Sequence, residues 1–200
     1  MSLPPPSSPD VESREISLGE FSSEERASLL KLAHESILSA LEQREISLKP
    51  PSPHLAEARG VFSSLYLKGN LRGCVGFVLP INSVYRAVAD TARAAAFEDT
   101  RFYPVTLEEA RRLEIELSIL SPPQPAKAVD IEVGRHGILI SMAGRRGLLL
   151  PQVAVEHHWD RVTFLEQTCY KAGLPADAWR TGATIEVFTA EIFGDQHGQD

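Results

Sequence analysis

The chain has 200 residues, 43% of them hydrophobic and 24% charged, which is enough for a buried core without disulfide or metal staples. Its formal net charge of −7 disfavours non-specific nucleic-acid binding, which needs an excess of Lys and Arg along the phosphates. The two cysteines, Cys74 and Cys169, form no CxxC pair, so a local zinc ribbon or iron–sulfur motif is excluded, and their scarcity points to a reducing compartment.

Residues 1–18 are Pro/Ser-rich and are expected to be disordered. "MSLPPPSSPD" lacks the charged and apolar regions of a signal peptide, and no apolar run approaches the ~18 residues of a membrane span, so a cytoplasmic location is expected. A first helix starts at a capping box, Ser22 with Glu25, and continues through Leu30, Ala33, Ile37 and Leu41 at helical spacing. "KPPSPHLAEARG" then runs extended into the first strand.

"VFSSLYLKGNLRGCVGFVLP" reads as a β-hairpin turning at Gly69-Asn70. That turn sets Leu67 opposite Arg72, Leu65 opposite Cys74 and Ser63 opposite Gly76. Arg72, Cys74 and Gly76 then share a face with Val61, Leu65 and Leu67, while Phe62, Tyr66, Val75 and Phe77 take the other. Apolar groups on both faces predict that the hairpin is central in its sheet. An Ala-rich helix, "NSVYRAVADTARAAAF", follows with Asn82 or Ser83 as its cap, then the loop "EDTRFYPV" and a short helix boxed by Thr106 and Glu109.

"EIELSILS" alternates as a strand, with Ile115, Leu117 and Ile119 on one face and Glu116 and Ser118 on the other. Pro122, Pro123 and Pro125 end it and mark a crossing to a second lobe. There "DIEV", "HGILISM" and "RGLLLP" read as short strands, the last two joined by a turn at Ala143-Gly144-Arg145-Arg146. "DRVTFLEQTCYKAG" is a helix from Asp160 to Gly173, "TIEVFTAEIF" a last strand, and residues 195–200 a polar tail. Hairpins and the lack of a βαβ period predict an α+β fold: a largely antiparallel central sheet flanked by helices, in two intimately associated subdomains. One domain is expected over residues 19–194, with a smaller lobe at about 121–152.

Cys74 is the first chemical candidate, because a neighbouring cation lowers a thiol's pKa and Arg72 lies two residues away on the same predicted face. Gly76 leaves room beside it, and Gly73 lets another backbone approach. No histidine sits at a spacing diagnostic of a base for it, and a packed structural cysteine explains the same residues. Glu116, on a partly buried strand, needs a partner, and Arg72 is the expected one. Glu156, His157, His158 and Cys169 offer four donor groups but no HxxxH or HExxH spacing. Asp99 beside Arg101 reads as a loop salt bridge. "GRHG" and "GRRG" do not match phosphate-binding loops, and Trp159 and Trp179 read as packing residues.

"LRGCVG" with "FVLP", "TRFYPVT", "LEIELSILSPP", "HGILIS", "GLLLPQVAVEHHWDRVTFLEQTCYKAGLPADAW" and "EVFTAEIF", in this order over about 22–194, resemble the AMMECR-type domain family, also called AmmeMemoRadiSam system protein A. The family pattern LRGCIG is LRGCVG here, and DPRF is Asp99-Thr100-Arg101-Phe102. The resemblance implies a compact protein of two subdomains with the LRGC strand near the cleft between them. It maps family motifs onto Arg72, Gly73, Cys74 and Gly76, onto Asp99, Arg101 and Phe102, onto Glu116 and Ser118, and onto Leu150, Pro151 and Gln152. It implies no established reaction, and its name links the domain to a Memo-like protein and a radical S-adenosylmethionine enzyme. This chain lacks the CxxxCxxC of the radical enzyme, so the expectation is an accessory partner with no cofactor of its own.

Two functional expectations follow. One is a binding or accessory module acting through a cleft at the LRGC strand. The other is a small-molecule enzyme with Cys74 as nucleophile, Arg72 as activator or anion clamp and Glu116 as acid/base. In either, Gly73, Gly76, Asp99, Arg101, Phe102, Ser118 and Gln152 are the expected binding residues.

Overall fold

Strands that alternate apolar with polar side chains build not one sheet here but two. The computed structural model describes residues 19–195, so the expected disordered segment at 1–18 and most of the tail lie outside the described residues. Helix α1 spans Ser23–Leu41 and opens on the expected capping box, the Ser22 side chain accepting from the Glu25 N–H and the Glu25 carboxylate from the Ser22 N–H. Strands β1 (Val61–Leu67) and β2 (Asn70–Phe77) form the hairpin, and α2 (Val84–Phe97) follows with Ser83 as its cap. The short helix α3 (Leu107–Ala110) leads into β3 (Glu114–Leu120).

The chain then builds a second sheet from β4 (Gln124–Pro125), β5 (Gly137–Met142) and β6 (Arg145–Leu149), followed by helices α4 (Pro151–Glu156) and α5 (Arg161–Lys171). β7 (Thr184–Phe188) completes that sheet, and β8 (Ala190–Gly194) returns to the first. The strand orders are β2-β1-β3-β8 and β4-β7-β5-β6, with every pairing antiparallel. The α+β class is therefore observed, with its antiparallel strands divided between two four-stranded sheets.

Each sheet has its own core. In the first, α2 lies on the face carrying Val61, Leu65, Ile115, Leu117 and Ile119, and α1 packs on α2. The Ala-rich composition of α2 permits this close seat: a methyl at Gly73 would stand 2.1 Å from the Ala95 carbonyl oxygen. In the second, α5 and α4 cover Ile138 and Ile140 with Phe164, Leu165 and the fully buried Cys169. Two neighbouring passes of chain join the cores, pinned where Ser121 N–H donates to the Thr189 carbonyl and Thr189 N–H to Ser121 Oγ.

Four expectations need correction. The hairpin turns at Lys68-Gly69, both with positive φ, not at Gly69-Asn70, and Arg72 is the unpaired extra residue of a bulge between Leu71 and Gly73. β2 is an edge strand, not a central one. "DIEV" forms no strand; its first residue ends a single 3₁₀ turn, Ala128–Asp130. "TIEVFTAEIF" is two strands in two sheets, and helix α4, which begins with Pro151 in its first turn, was not expected at all.

Among the described residues no helix is long and apolar enough to cross a membrane.

Candidate functional site

The corrected hairpin register changes what surrounds Cys74. Cys74 lies opposite Ser64, and Gly76 opposite Phe62, so both occupy the sheet face turned away from α2. On β1 that face carries Phe62, Ser64 and Tyr66; on β3 it carries Glu116 and Ser118, which lie opposite Ser64 and Phe62. Across β8 the same two rows end at Gly194 and Ile192. Two rows of side chains therefore cross the sheet, Cys74–Ser64–Glu116–Gly194 and Gly76–Phe62–Ser118–Ile192. Phe62, Ser64, Tyr66, Cys74, Glu116 and Ser118 are all half-buried, neither sealed in a core nor free in solvent.

Hydrogen bonds tie part of the first row together. Ser64 Oγ donates to Cys74 Sγ at 3.3 Å. The Tyr66 phenol is pushed up from its ordinary pKa chiefly by burial, then by the charges of Glu116 and Cys74 nearby, against a hydrogen bond with Ser64. The phenol therefore stays protonated at neutral pH. Ser64 and Tyr66 were not among the expected site residues; the unforeseen bulge at Arg72, which slips the pairing by one residue, had left Cys74 on the opposite face of β1 from Tyr66.

The backbone of Cys74 is engaged from the opposite side. Its N–H donates to Asp99 Oδ2 at 2.9 Å, and its carbonyl accepts from Arg101 Nη2 at 3.3 Å. Arg101 in turn grips Asp99 with two bonds, Nε to Oδ1 at 2.9 Å and Nη2 to Oδ2 at 2.7 Å. The loop salt bridge expected from sequence thus occupies the edge of β2, where an added strand would otherwise pair. The Asp99 side chain is 6% exposed, and the Arg101 guanidinium, ahead of the Cys74 N–H, holds its carboxyl well below the usual range.

Arg72 does not meet Glu116. It leaves the bulge toward α3, donating from Nε and Nη2 to the two Glu109 oxygens at 3.0 and 3.1 Å and from Nη1 to the Tyr103 carbonyl at 2.8 Å. The Arg72 bonds, followed by the Thr106 N–H, draw the Glu109 carboxyl down to about 2. As thiol activator or anion clamp Arg72 is therefore engaged elsewhere, and the guanidinium nearest Cys74 is that of Arg101. Arg72, Arg101 and Phe102 instead line an open groove of about 460 Å³ outside β2, beside the 90% exposed Tyr103.

Gln152 lies elsewhere again. With Pro151, Val155 and Glu156 of α4 and with Ala190 and Ile192 of β8 it lines a cavity of about 230 Å³ between the two sheet units. That cavity meets the sheet face at its β8 end, three strand spacings or about 14 Å from Cys74. The glycines of the motif have packing roles: Gly73 admits α2, and a methyl at Gly76 would stand 2.2 Å from the Phe62 ring.

Both cysteines are free thiols, and Cys169 sits in the second core. His157 stacks on Trp159, with ring centroids 4.7 Å apart. Among the described residues Glu20, His54 and Glu57 form the one grouping whose potential metal-ligating atoms approach within 4.8 Å of one another. The buried Arg59 guanidinium already bonds both carboxylates there, at 2.7 Å to Glu57, and so takes the place a cation would hold.

An Ala-rich helix on a four-stranded sheet, an LRGC edge strand latched by an Asp-x-Arg loop, and a second sheet unit entered through consecutive prolines define one kind of domain. The AMMECR1 family model matches residues 30–193, and the chain belongs to that family. It is 43% identical over 185 residues to protein MK0488 of Methanopyrus kandleri, covering 86% of this chain and 89% of that one. It is 42% identical over 185 residues to protein PF1979 of Pyrococcus furiosus, covering 84% and 87%. The crystal structure of the uncharacterised protein PH0010 from Pyrococcus horikoshii superposes with a TM-score of 0.69 at 39% identity, covering 85% of this chain and 91% of that one.

Proposed function

We propose that this protein is a binding or accessory component that works with a Memo-like protein and a radical S-adenosylmethionine protein, using the sheet face at the LRGC strand as its ligand or contact surface. The observation that carries this reading is the half-buried row Cys74–Ser64–Glu116 with Tyr66, polar groups held on a face that no helix of their own sheet unit covers. The engagement of Arg72 by Glu109 removes the activator on which the enzymatic reading relied. Purified Memo-like and radical proteins from the same genome, mixed with this chain, are expected to co-elute with it in gel filtration. Ser64→Arg, which fills the face, abolishes that co-elution, whereas Arg112→Ala on the outer surface leaves it intact. Absence of any complex with wild-type protein overturns the partnership.

A second reading, a small-molecule enzyme with Cys74 as nucleophile, is favoured by one observation: Ser64 Oγ donates to the sulfur. It requires Cys74 to form a covalent adduct with its substrate, which intact-mass measurement of the trapped protein would reveal as an increment absent from Cys74→Ser.

A further inference from the structure

The first described residues are fastened by a single carboxylate on the last strand. Glu191 of β8 accepts from the Glu20 N–H at 2.6 Å and from the Phe21 N–H at 3.3 Å. The same carboxylate holds Arg26 of α1, through Nε at 2.9 Å and Nη2 at 2.7 Å, and is only 17% exposed. Glu20 is gripped from the other side, its carboxylate accepting from the buried Arg59 guanidinium. Between these contacts Phe21 is fully buried, stacked on His54 with ring centroids 4.6 Å apart and tilted against Phe193 of β8 at 6.4 Å. Residues 19–21 thus form a strap with an aromatic plug.

β8 is the strand most in need of a fastening. It is a five-residue edge strand whose one ladder partner is β3. Its core-facing side chains, Glu191 and Phe193, are the two that the strap and Arg26 engage. Beyond its far end Asp195 Oδ2 lies 2.7 Å from His34 Nε2 of α1. Arg26 and His34 stand about 12 Å apart on the helix, and Glu191 and Asp195 about 13 Å apart along extended chain. Helix and strand therefore run in step, joined at both ends across a groove of about 570 Å³. The outward side chains of the strand, Ala190 and Ile192, wall the cavity between the two sheet units. One face of β8 carries the strap and the other the cavity.

We propose that residues 19–21 are a displaceable strap that controls the attachment of β8. With Phe21 seated, the strand completes the first sheet and walls the cavity. With Phe21 withdrawn, strap and strand open as one local unit while the rest of the sheet stays folded. A partner drawing on the chain ahead of Gly19 thereby acts on the cavity without touching it. This coupling does not depend on what the LRGC face binds.

Native-state hydrogen exchange of the full chain, read by mass spectrometry, is the first test. Phe21→Ala and Glu191→Gln are each expected to speed exchange in β8 at least about tenfold while β1 and β5 stay within about threefold of wild type. Gly73→Ala, which unseats α2 without touching the strap, speeds β8 no more than β1. Should Phe21→Ala fail to fold, the isosteric Glu191→Gln carries the comparison. A second arm places a thiol on the cavity wall, Ala190→Cys in a Cys74→Ser chain, with Cys169 silent because it is fully buried. Its iodoacetamide labelling is expected to accelerate at least about fivefold when Glu191→Gln is added.

Unchanged exchange in β8, or equal acceleration of β8, β1 and β5, overturns the strap, because the contacts then serve only the stability of the whole. Accelerated exchange in β8 with unchanged labelling at position 190 overturns the transmission to the cavity.

Discussion

Arginine, cysteine and two glycines in one strand divide their labour by atom rather than acting as a single constellation. Gly73 exists for the backbone of α2, whose Ala95 carbonyl would be struck by any side chain, and Gly76 for the ring of Phe62. The Ala95 carbonyl belongs to a packed helix and is met at 2.1 Å, whereas at Gly76 the nearest atoms belong to a rotatable ring and the backbone, the Val61 carbonyl, stands farther off at 2.7 Å. Gly73→Ala is therefore expected to cost about 2–3 kcal/mol, roughly 5–10 °C in Tm, and Gly76→Ala less. Calorimetry of the two variants checks the order, and an equal loss would mean that the seat of α2 is looser than the 2.1 Å approach implies. Cys74 alone of the motif presents a side chain to the face that also carries Ser64, Tyr66 and Glu116.

Edge strand β2 is held at both ends by carboxylates that outcompete water for its atoms. Asp99 serves the Cys74 N–H and Glu109 the Arg72 guanidinium, and both carboxyls are drawn below their ordinary values of 3.8 and 4.5. A depressed folded-state pKa gives stability that is complete above the unfolded value and lost as pH falls through the folded one. The hairpin and its latch should therefore weaken between pH 4.5 and about 2 for Glu109, and Asp99 extends the loss to lower pH. In a thermal-melt series over that range, Glu109→Gln should start lower and fall less steeply than wild type. Parallel pH slopes would remove the Arg72–Glu109 contact from the acid response.

Element by element, what proved legible in the sequence was local. Capping boxes at Ser22 and Thr106 and the alternation of Ile115, Leu117 and Ile119 act within a few residues, and each was placed correctly. The edge position of β2 and the split of "TIEVFTAEIF" depend on which sheet is nearby, and no glycine or proline breaks "TIEVFTAEIF" where it divides. The site was half legible for a sharper reason. Moving the two-residue turn by one position keeps the faces, but the one-residue bulge at Arg72 exchanges them, so Glu116 and Ser118 were placed on one face correctly while Ser64 and Tyr66 were missed as neighbours of Cys74.

For the molecule as a whole, the second sheet unit is an excursion between two strands of the first: the chain leaves after Leu120 and re-enters at Ala190, opposite the same Leu120. Ending the protein at Phe188 would leave β3 as an unprotected edge flanked by buried Ile119 and Leu117. Such a truncation is expected to move the protein from the soluble to the insoluble fraction on expression, whereas ending it after Asp195 should keep the melting temperature within a few degrees. A soluble, monomeric truncation at Phe188 would show that β8 is dispensable.

That return has a consequence for the order in which the protein is made. The strand that completes the first sheet is nearly the last to leave the ribosome, some 70 residues after its partner β3. At about 5–20 residues per second, the N-terminal half waits several seconds with one flank uncovered. The second sheet waits almost as long, because its interior strand β7 is made just before β8, so both sheets, and with them the face bearing Cys74 and Glu116, are finished only when synthesis is almost over.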